Sequence, residues 1–270
     1  MSSEVLVIGG GPAGLSAAIH LRARGRSVLV VSNPLEENPL WRSEQVNNYP
    51  GFPRTTGADL LRALRQHAEA VGAEFLPGKV LTALQSGTSW YVTVGPEMYN
   101  ASALVLASGV SRGSKFPGEA EFLGQGVSYC ATCDGMLYRN RPVVVLGYSE
   151  SARKEAAFLR EIGCQVTYFD RPKSCRILGD SRVTGIACDG QTVQADGVFI
   201  LRPSVAPTEL FPGLHTENGY VAVNRRMETN LPGLFAAGDC TGAPLQIAKA
   251  VGEGQVAGQS ASAFVEALRK

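Results

Sequence analysis

A glycine-rich turn between an apolar strand and a helix constrains the fold of this chain more than any other feature. The strand pattern Val5–Ile8 runs directly into Gly-Gly-Gly-Pro-Ala-Gly at Gly9–Gly14, a helix follows over Leu15–Leu21, and a second strand covers Ser27–Val31. In this order the glycines permit a tight turn, let the backbone approach a pyrophosphate and let the helix pack against the strand. The pattern predicts a parallel α/β sheet that holds a dinucleotide at the amino terminus of the helix. The residues predicted to form this phosphate site are Gly9, Gly11, Pro12, Ala13 and Gly14.

Other strand ends supply further candidates for the same ligand. The acidic residue that usually binds the ribose, roughly 20 positions after the turn, is absent, and a serine and an asparagine stand there instead. Two more buried strands end in Ser-Gly and in Gly-Asp, and the aspartate can bind a cofactor hydroxyl or cap a helix. The residues concerned are Ser32, Asn33, Ser108, Gly109, Gly238 and Asp239.

Cys130 and Cys133 are separated by two residues and followed at once by the carboxylate of Asp134. Such a pair can be a structural disulfide, half of a metal site or a redox dithiol. Structural zinc needs a second ligand pair, but the histidines lie far apart and the other cysteines stand singly. A disulfide across so small a loop would stabilise little, whereas a thiol that opens a helix can have a pKa near ~7 or below. The pattern favours a redox pair without a metal. No role is assigned to the remaining cysteines, Cys164, Cys175, Cys188 and Cys240.

A second strand, turn and helix follows the cysteines, but its glycine motif is incomplete. The strand Pro142–Leu146 leads into Gly147-Tyr148-Ser149, where a serine replaces the glycine that lets a pyrophosphate approach and a tyrosine adds bulk. After the next strand, the segment Asp170–Arg176 mixes an acid with bases that could meet a 2′-phosphate or simply be solvated. This region predicts a nucleotide-binding fold with poor nucleotide binding.

Composition argues against several classes of protein. The formal net charge is +1 and 18% of the residues are charged, so there is no electrostatic case for binding nucleic acid or a membrane surface. The first residues lack the layout of a signal peptide, and no apolar run approaches about 18 residues. Six cysteines in a chain of 270 residues do not suggest a secreted disulfide scaffold. We expect a cytoplasmic protein.

Four segments, in their order and spacing, resemble the low-molecular-weight thioredoxin reductases. They are Gly9–Gly14, Asn47–Pro53, Cys130–Gly135 within Val-Ser-Tyr-Cys-Ala-Thr-Cys-Asp-Gly, and Gly233–Asp239. The resemblance covers essentially the whole chain. It implies an α/β protein with two Rossmann-like, three-layer domains, the second inserted in the first and shortened. An FAD domain would comprise 1–112 and 207–270, an inserted redox-disulfide domain would comprise 113–206, and the protein would be a homodimer.

The resemblance also implies roles for individual residues. Cys133 would lie against the flavin as a thiolate charge-transfer partner, Cys130 would attack the disulfide of thioredoxin, and Asp134 would supply and accept the proton. Further FAD contacts are implied at Asn48, Gln246 and Ile247.

Departures from the family pattern bear on the electron donor. NADPH-linked members carry a complete second glycine motif and a His-Arg-Arg cluster, whereas this chain has Gly147-Tyr148-Ser149 and Tyr168–Arg171. With these differences, the residues Leu245-Gln246 and the short insert, the chain resembles the ferredoxin-dependent branch of the family. In that branch, reduced ferredoxin supplies the electrons. The alternatives are an NADPH-linked reductase with an atypical site, an oxygen-dependent dithiol oxidase, and a non-catalytic flavin redox sensor.

Overall fold

The computed structural model describes residues 2–110, 115–202 and 205–270. Contacts divide the chain into two units, Met1–Ser111 with Ser204–Lys270, and Arg112–Pro203. The helices α1 to α6 are Pro12–Arg22, Gly57–Ala70, Ala131–Asp134, Glu150–Glu161, Pro207–Leu210 and Ile247–Ala267. The strands β1 to β8 are Ser2–Ile8, Val28–Ser32, Glu74–Pro77, Val80–Ser86, Ser89–Val94, Glu97–Leu106, Val127–Ser128 and Pro142–Gly147. The strands β9 to β16 are Gln165–Asp170, Cys175–Gly179, Val183–Cys188, Gln191–Gln194, Gly197–Leu201, Thr216–Glu217, Tyr220–Val221 and Leu234–Ala236.

The first unit is built on one mixed sheet. Strands β3, β2, β1 and β6 lie side by side and parallel, β16 adds a parallel pairing to β6, and β5 and β4 continue the sheet as an antiparallel meander. Val5, Leu6 and Val7 of β1 are all fully buried. A central parallel strand has both faces covered, so it needs a continuous apolar run rather than alternation.

Helices α1 and α6 pack closely together on one face of this sheet. A Cβ atom at Gly254 of α6 would lie 2.1 Å from the carbonyl oxygen of Ala13, and one at Gly258 would lie 2.7 Å from that of Ala17. The glycines therefore let the two helix backbones approach, which brings the start of α6 near the start of α1.

The second unit has a parallel sheet with a different layer on each face. Its strand order is β7-β13-β8-β9, and β10, β11 and β12 form a separate antiparallel sheet. Along β8, Val143 and Val145 pack in the cluster that contains α4, whereas Val144 and Leu146 pack in the cluster that contains the antiparallel sheet. This alternation follows from the two-residue period of a strand.

The predicted fold class is confirmed: the protein is α/β with Rossmann-like parallel sheets. The sheet β10–β12 was not predicted from the sequence. Among the described residues, none of the helices combines the length and apolar character needed to cross a membrane.

Candidate functional site

The glycine turn after β1 has the geometry that its sequence predicts. Gly9 has a φ of +112°, and a Cβ atom there would lie 2.3 Å from the carbonyl oxygen of Ala107. A Cβ atom at Gly14 would lie 1.9 Å from the carbonyl oxygen of Gly9. Both positions therefore require glycine, because a side chain would collide with backbone. Pro12 begins α1, where its missing N–H is not needed.

The space around the turn is bordered by side chains from the next strand and loop. A Cβ atom at Gly11 would lie 3.1 Å from Nδ2 of Asn38, and one at Gly10 would lie 2.6 Å from Oγ of Ser32. The Ser32 hydroxyl donates to the carbonyl of Asn33, 3.0 Å away. The structure thus places Ser32 and Asn33 beside the turn. Asn38 was not identified from the sequence, because it lies in an irregular segment.

The ends of β6 and β16 meet the same turn. The N–H of Ala237 donates to the carbonyl of Leu106 at 2.9 Å, and a Cβ atom at Gly238 would lie 2.8 Å from the Cβ of Ala13. Among the described residues, the Ser108 hydroxyl at the end of β6 is buried and has no hydrogen-bond partner. Buried polar atoms are usually paired. A bound group that supplies a partner to Ser108 fits this observation, and Gly109 follows directly.

Two predicted residues from distant parts of the chain contact each other. The side-chain amide of Asn48 donates to Oε1 of Gln246 at 2.9 Å. Gln246 immediately precedes α6, which begins at Ile247. The predicted FAD contacts Asn48, Gln246 and Ile247 therefore lie together at the start of that helix.

A partly buried ion pair between Lys249 and Glu253 supports the turn at Gly238 and Asp239. Lys249 donates from Nζ to the carbonyls of Gly238 and Gly242, at 2.9 and 2.6 Å, and lies 3.1 Å from Glu253. Glu253 in turn accepts from the N–H of Gly238 at 2.9 Å. The pair fixes the turn that carries Asp239. The sequence signal was present, since Lys249 and Glu253 are four residues apart on a helix with few other charges.

The cysteines of the C-x-x-C segment form a disulfide at the end of β7. Cys130 and Cys133 have an S–S distance of 2.23 Å and a Cα–Cα distance of 5.4 Å. Cys130 caps α3, and its Sγ accepts from the N–H of Cys133 at 3.2 Å. A backbone donor aimed at the sulfur stabilises a thiolate once the bond is reduced. Cys130 is 8% exposed, whereas Cys133 is exposed.

A serine anchors the carboxylate beside this pair. The buried Ser128 donates from Oγ to Oδ2 of Asp134 at 2.7 Å and accepts from the N–H of Cys130 at 3.1 Å. Glu155 of α4 accepts from the N–H of Ala131 at 3.1 Å. The predicted residues Cys130, Cys133 and Asp134 therefore share one fixed turn. Ser128 and Glu155 were missed, because neither has a distinctive sequence context.

The second glycine turn is filled by aromatic side chains. A Cβ atom at Gly147 would lie 2.0 Å from the hydroxyl of Tyr168. The Tyr148 hydroxyl donates to the carbonyl of Pro172 at 3.0 Å, and burial raises the pKa of Tyr148 to about 12. Ser149 caps α4 by accepting from the N–H of Ala152. Ser149 thus serves the helix rather than leaving its amino terminus open, as a glycine would.

The basic residues after β9 lie on the surface. Arg171, Lys173 and Arg176 are exposed, and Asp170 pairs with Arg153 at 2.8 Å. Exposure of these bases agrees with both alternatives that the sequence left open, a contact with a 2′-phosphate and simple solvation.

The expectation that the remaining cysteines stand singly is wrong for two of them. Cys175 and Cys188 lie directly opposite each other on β10 and β11, with a Cα–Cα distance of 4.1 Å, and form a second disulfide. The pairing was missed because the two strands were not predicted. Cys164 and Cys240 are free and buried. Burial raises the pKa of Cys240 to about 12, which makes a reactive thiolate unfavourable.

Comparison with known proteins identifies the family. Residues 3–187 and 173–254 match the family model described as pyridine nucleotide-disulphide oxidoreductase. The chain belongs to this family, whose members are FAD-dependent flavoproteins, so its cofactor is FAD. Within the family it is a homologue of the thioredoxin reductases.

Both curated relatives and solved structures support this assignment. A thioredoxin reductase of Listeria innocua is 34% identical over 303 aligned positions, covering 99% of this chain and 95% of the relative. A ferredoxin-flavin thioredoxin reductase from Clostridium acetobutylicum is 33% identical with a TM-score of 0.95, covering 100% and 99% of the two chains. A thioredoxin reductase from Gloeobacter violaceus is 29% identical with a TM-score of 0.87, covering 100% and 96%. The shared family, together with the Cys130–Cys133 disulfide, defines an oxidoreductase that acts on disulfides.

Proposed function

We propose that this protein is a flavin thioredoxin reductase that receives electrons from reduced ferredoxin. The observation that carries the proposal is a redox-type disulfide with an anchored carboxylate, in a unit whose second glycine turn is filled by Tyr148 and Tyr168. The likeness to the ferredoxin-flavin thioredoxin reductase of C. acetobutylicum supports the choice of donor.

FAD, when bound, accepts electrons one at a time and supplies them in pairs. The residues that would hold it are those of the first glycine turn, Gly9, Gly11, Pro12, Ala13 and Gly14, with Ser32, Asn33, Asn48, Ser108, Gly109, Gly238, Asp239, Gln246 and Ile247. Two observations support this assignment. The buried Ser108 hydroxyl has no hydrogen-bond partner among the described residues, and a side chain at Gly9 or Gly14 would collide with backbone.

The chain's own cysteines would carry out the exchange with thioredoxin. Two electrons and two protons convert the Cys130–Cys133 disulfide into two thiols. The Cys130 thiolate then attacks one sulfur of the thioredoxin disulfide, forming a mixed disulfide and releasing the other thioredoxin sulfur as a thiolate. Attack by Cys133 on Cys130 re-forms the Cys130–Cys133 bond and frees reduced thioredoxin. Asp134, which directly follows Cys133, would accept and return the proton in this thiol–disulfide exchange.

The exposure of the two sulfurs sets a condition on this order of steps. Cys130 is 8% exposed and is the cysteine assigned to thioredoxin. It must become accessible before an external disulfide can reach it, so the proposal requires a rearrangement during turnover.

The proposal further includes a cytoplasmic homodimer with an FAD domain at 1–112 and 207–270 and a redox domain at 113–206. Native mass spectrometry of the yellow protein tests the dimer.

Substitution of the cysteines tests the proposed function. Cys130→Ser and Cys133→Ser should each abolish reduction of thioredoxin, while the protein keeps its flavin spectrum. Cys164→Ser is the matched control, because that buried free cysteine has no part in the proposed exchange. Full turnover by either redox-pair variant would refute the proposal. Formation of hydrogen peroxide from oxygen, when the protein is given a small dithiol in air, would instead favour the dithiol oxidase.

A further inference from the structure

A buried carboxylate in the second unit uses both of its oxygens in hydrogen bonds. Glu119 is fully buried, and its two oxygens accept from the two terminal nitrogens of Arg202 at 2.5 and 2.9 Å. It also accepts from the hydroxyl of Tyr129 at 3.0 Å and from the N–H of Phe116 at 2.9 Å. A paired arginine fork of this kind gives a fixed geometry as well as attraction.

The charge state of Glu119 agrees with this geometry. Burial alone favours the neutral acid, but the hydrogen bonds from Arg202 and from the N–H of Phe116 outweigh it and lower the pKa of Glu119. Glu119 and Arg202 are therefore an ion pair at neutral pH.

The pair occupies the place in the fold where a ligand is expected. Arg202 directly follows β13 and Tyr148 directly follows β8, and these neighbouring parallel strands lie where the strand order reverses. Open α/β sheets bind their ligands at the carboxyl ends of strands at such a point. The Arg202 guanidinium lies 5.5 Å from the ring of Phe116 and 5.7 Å from that of Tyr148, and the two rings stack at 6.4 Å.

The same pair is connected to the redox disulfide through one residue. Tyr129, whose hydroxyl bonds to Glu119, immediately precedes Cys130. On its other side, Ser128 holds Asp134 and the N–H of Cys130. The strand that leads into the disulfide is thus held by two adjacent side chains that point to different partners.

We propose that Glu119 and Arg202 are positioning residues for the redox pair, occupying the crevice of a nucleotide site and holding Cys130 in place through Tyr129. The inference rests on the proposed function in that Cys130–Cys133 is the redox pair. It adds a role for three residues that the family assignment leaves without one.

The expected effect is on the equilibrium between disulfide and dithiol. Closing a disulfide depends on how well the two sulfurs are held at bonding geometry. Tyr129→Phe removes the hydrogen bond to the charged Glu119. Because only part of the strength of that bond acts on the geometry of the sulfurs, we expect the equilibrium constant for disulfide formation to fall by about three- to tenfold. Glu119→Gln should lower it at least as far, because it weakens the bonds from both Tyr129 and Arg202. Arg202→Lys keeps the charge but loses the fork, so its effect should lie between wild type and Glu119→Gln.

The test is a redox titration of the FAD-loaded protein that uses neither donor nor thioredoxin. Wild type and variants are equilibrated without oxygen in buffers that contain reduced and oxidised dithiothreitol in graded ratios. The samples are then quenched with acid and alkylated. Mass spectrometry then reports the redox state of the peptide that contains Cys130 and Cys133. Glu121→Gln is the matched control, because Glu121 is exposed and lies two residues from Glu119.

The outcomes separate a positioning role from mere support of the fold. A shift for Tyr129→Phe and Glu119→Gln, with none for Glu121→Gln, would support the inference. Unchanged titration of Tyr129→Phe would overturn it, even if the variant melts at a lower temperature. If Glu119→Gln fails to fold, Tyr129→Phe still decides, since it removes a single oxygen. Failure of the wild type to reduce thioredoxin would overturn the proposed function and leave this titration interpretable.

Discussion

Replacing Ser128 by alanine should affect both the stability of the second unit and the chemistry of the redox pair. The buried hydroxyl donates to Asp134 and accepts from the N–H of Cys130, at 2.7 and 3.1 Å. A hydrogen bond to a charged group contributes about 1.5–3 kcal/mol, and a buried N–H left unpaired costs about 1–3 kcal/mol. Because the two effects overlap at one atom, we expect the free energy of unfolding to fall by about 2–4 kcal/mol.

Chemical denaturation of Ser128→Ala measures this loss, with Ser174→Ala as the control because the Ser174 side chain is exposed. Thioredoxin reduction should also slow, since Asp134 loses its anchor. In an Asp134→Asn background, Ser128→Ala should add little further slowing, because the group that it positions is already gone. Equal stabilities of the two serine variants, or fully additive rate effects, would refute the reasoning.

The remaining predictions concern the glycine turn, the buried ion pair and the second disulfide. Gly14→Ala should abolish FAD retention, because its Cβ would lie 1.9 Å from the carbonyl oxygen of Gly9. Gly252→Ala should retain FAD and raise the free energy of unfolding by up to about 1 kcal/mol, because no described atom beyond its chain neighbours and the backbone of its own helix lies within 4 Å of the added Cβ. Flavin absorbance after gel filtration checks FAD retention, and chemical denaturation checks the stability. The folded-state pKa of Glu119 is lowered, so the stability that this carboxylate contributes is present above the unfolded value of 4.5 and is lost as the pH falls below it. In denaturation at about pH 3 to 7, the free energy of unfolding should therefore fall less in acid for Glu119→Gln than for wild type. Breaking the Cys175–Cys188 disulfide, which joins residues 13 apart, should lower the free energy of unfolding by about 3 kcal/mol. Alkylation of the unreduced, denatured protein followed by mass spectrometry should find neither cysteine alkylated, and alkylated Cys175 or Cys188 would contradict the pairing.

The parts that the sequence predicts well are those in which function requires a local pattern. Gly9 and Gly14 are needed because backbone lies within 2.3 Å of their missing side chains, and so the turn leaves a dense glycine signature. Cys130, Cys133 and Asp134 are close in space because they are close in the chain. In each case the local sequence specifies the local geometry.

The parts that the sequence does not predict depend on contacts between distant residues. Glu119 and Arg202 are 83 residues apart and meet only because β13 ends beside the loop that carries Glu119. Cys175 and Cys188 face each other only in one register of β10 and β11. A one-residue shift of that register would place the two sulfurs on opposite faces of the sheet. Neither pairing can be read from a window of sequence.

Reduction of the flavin by candidate donors shows which electron donor the protein uses. The purified, FAD-loaded protein is mixed without oxygen with excess NADPH, with NADH, or with chemically reduced ferredoxin, and the flavin absorbance is followed. We expect rapid bleaching by ferredoxin and none by either nucleotide, because Tyr148 and Tyr168 fill the second glycine turn and Arg202 occupies the crevice beside it. Rapid bleaching by NADPH would refute the ferredoxin-linked function and show that the filled turn still admits a nucleotide.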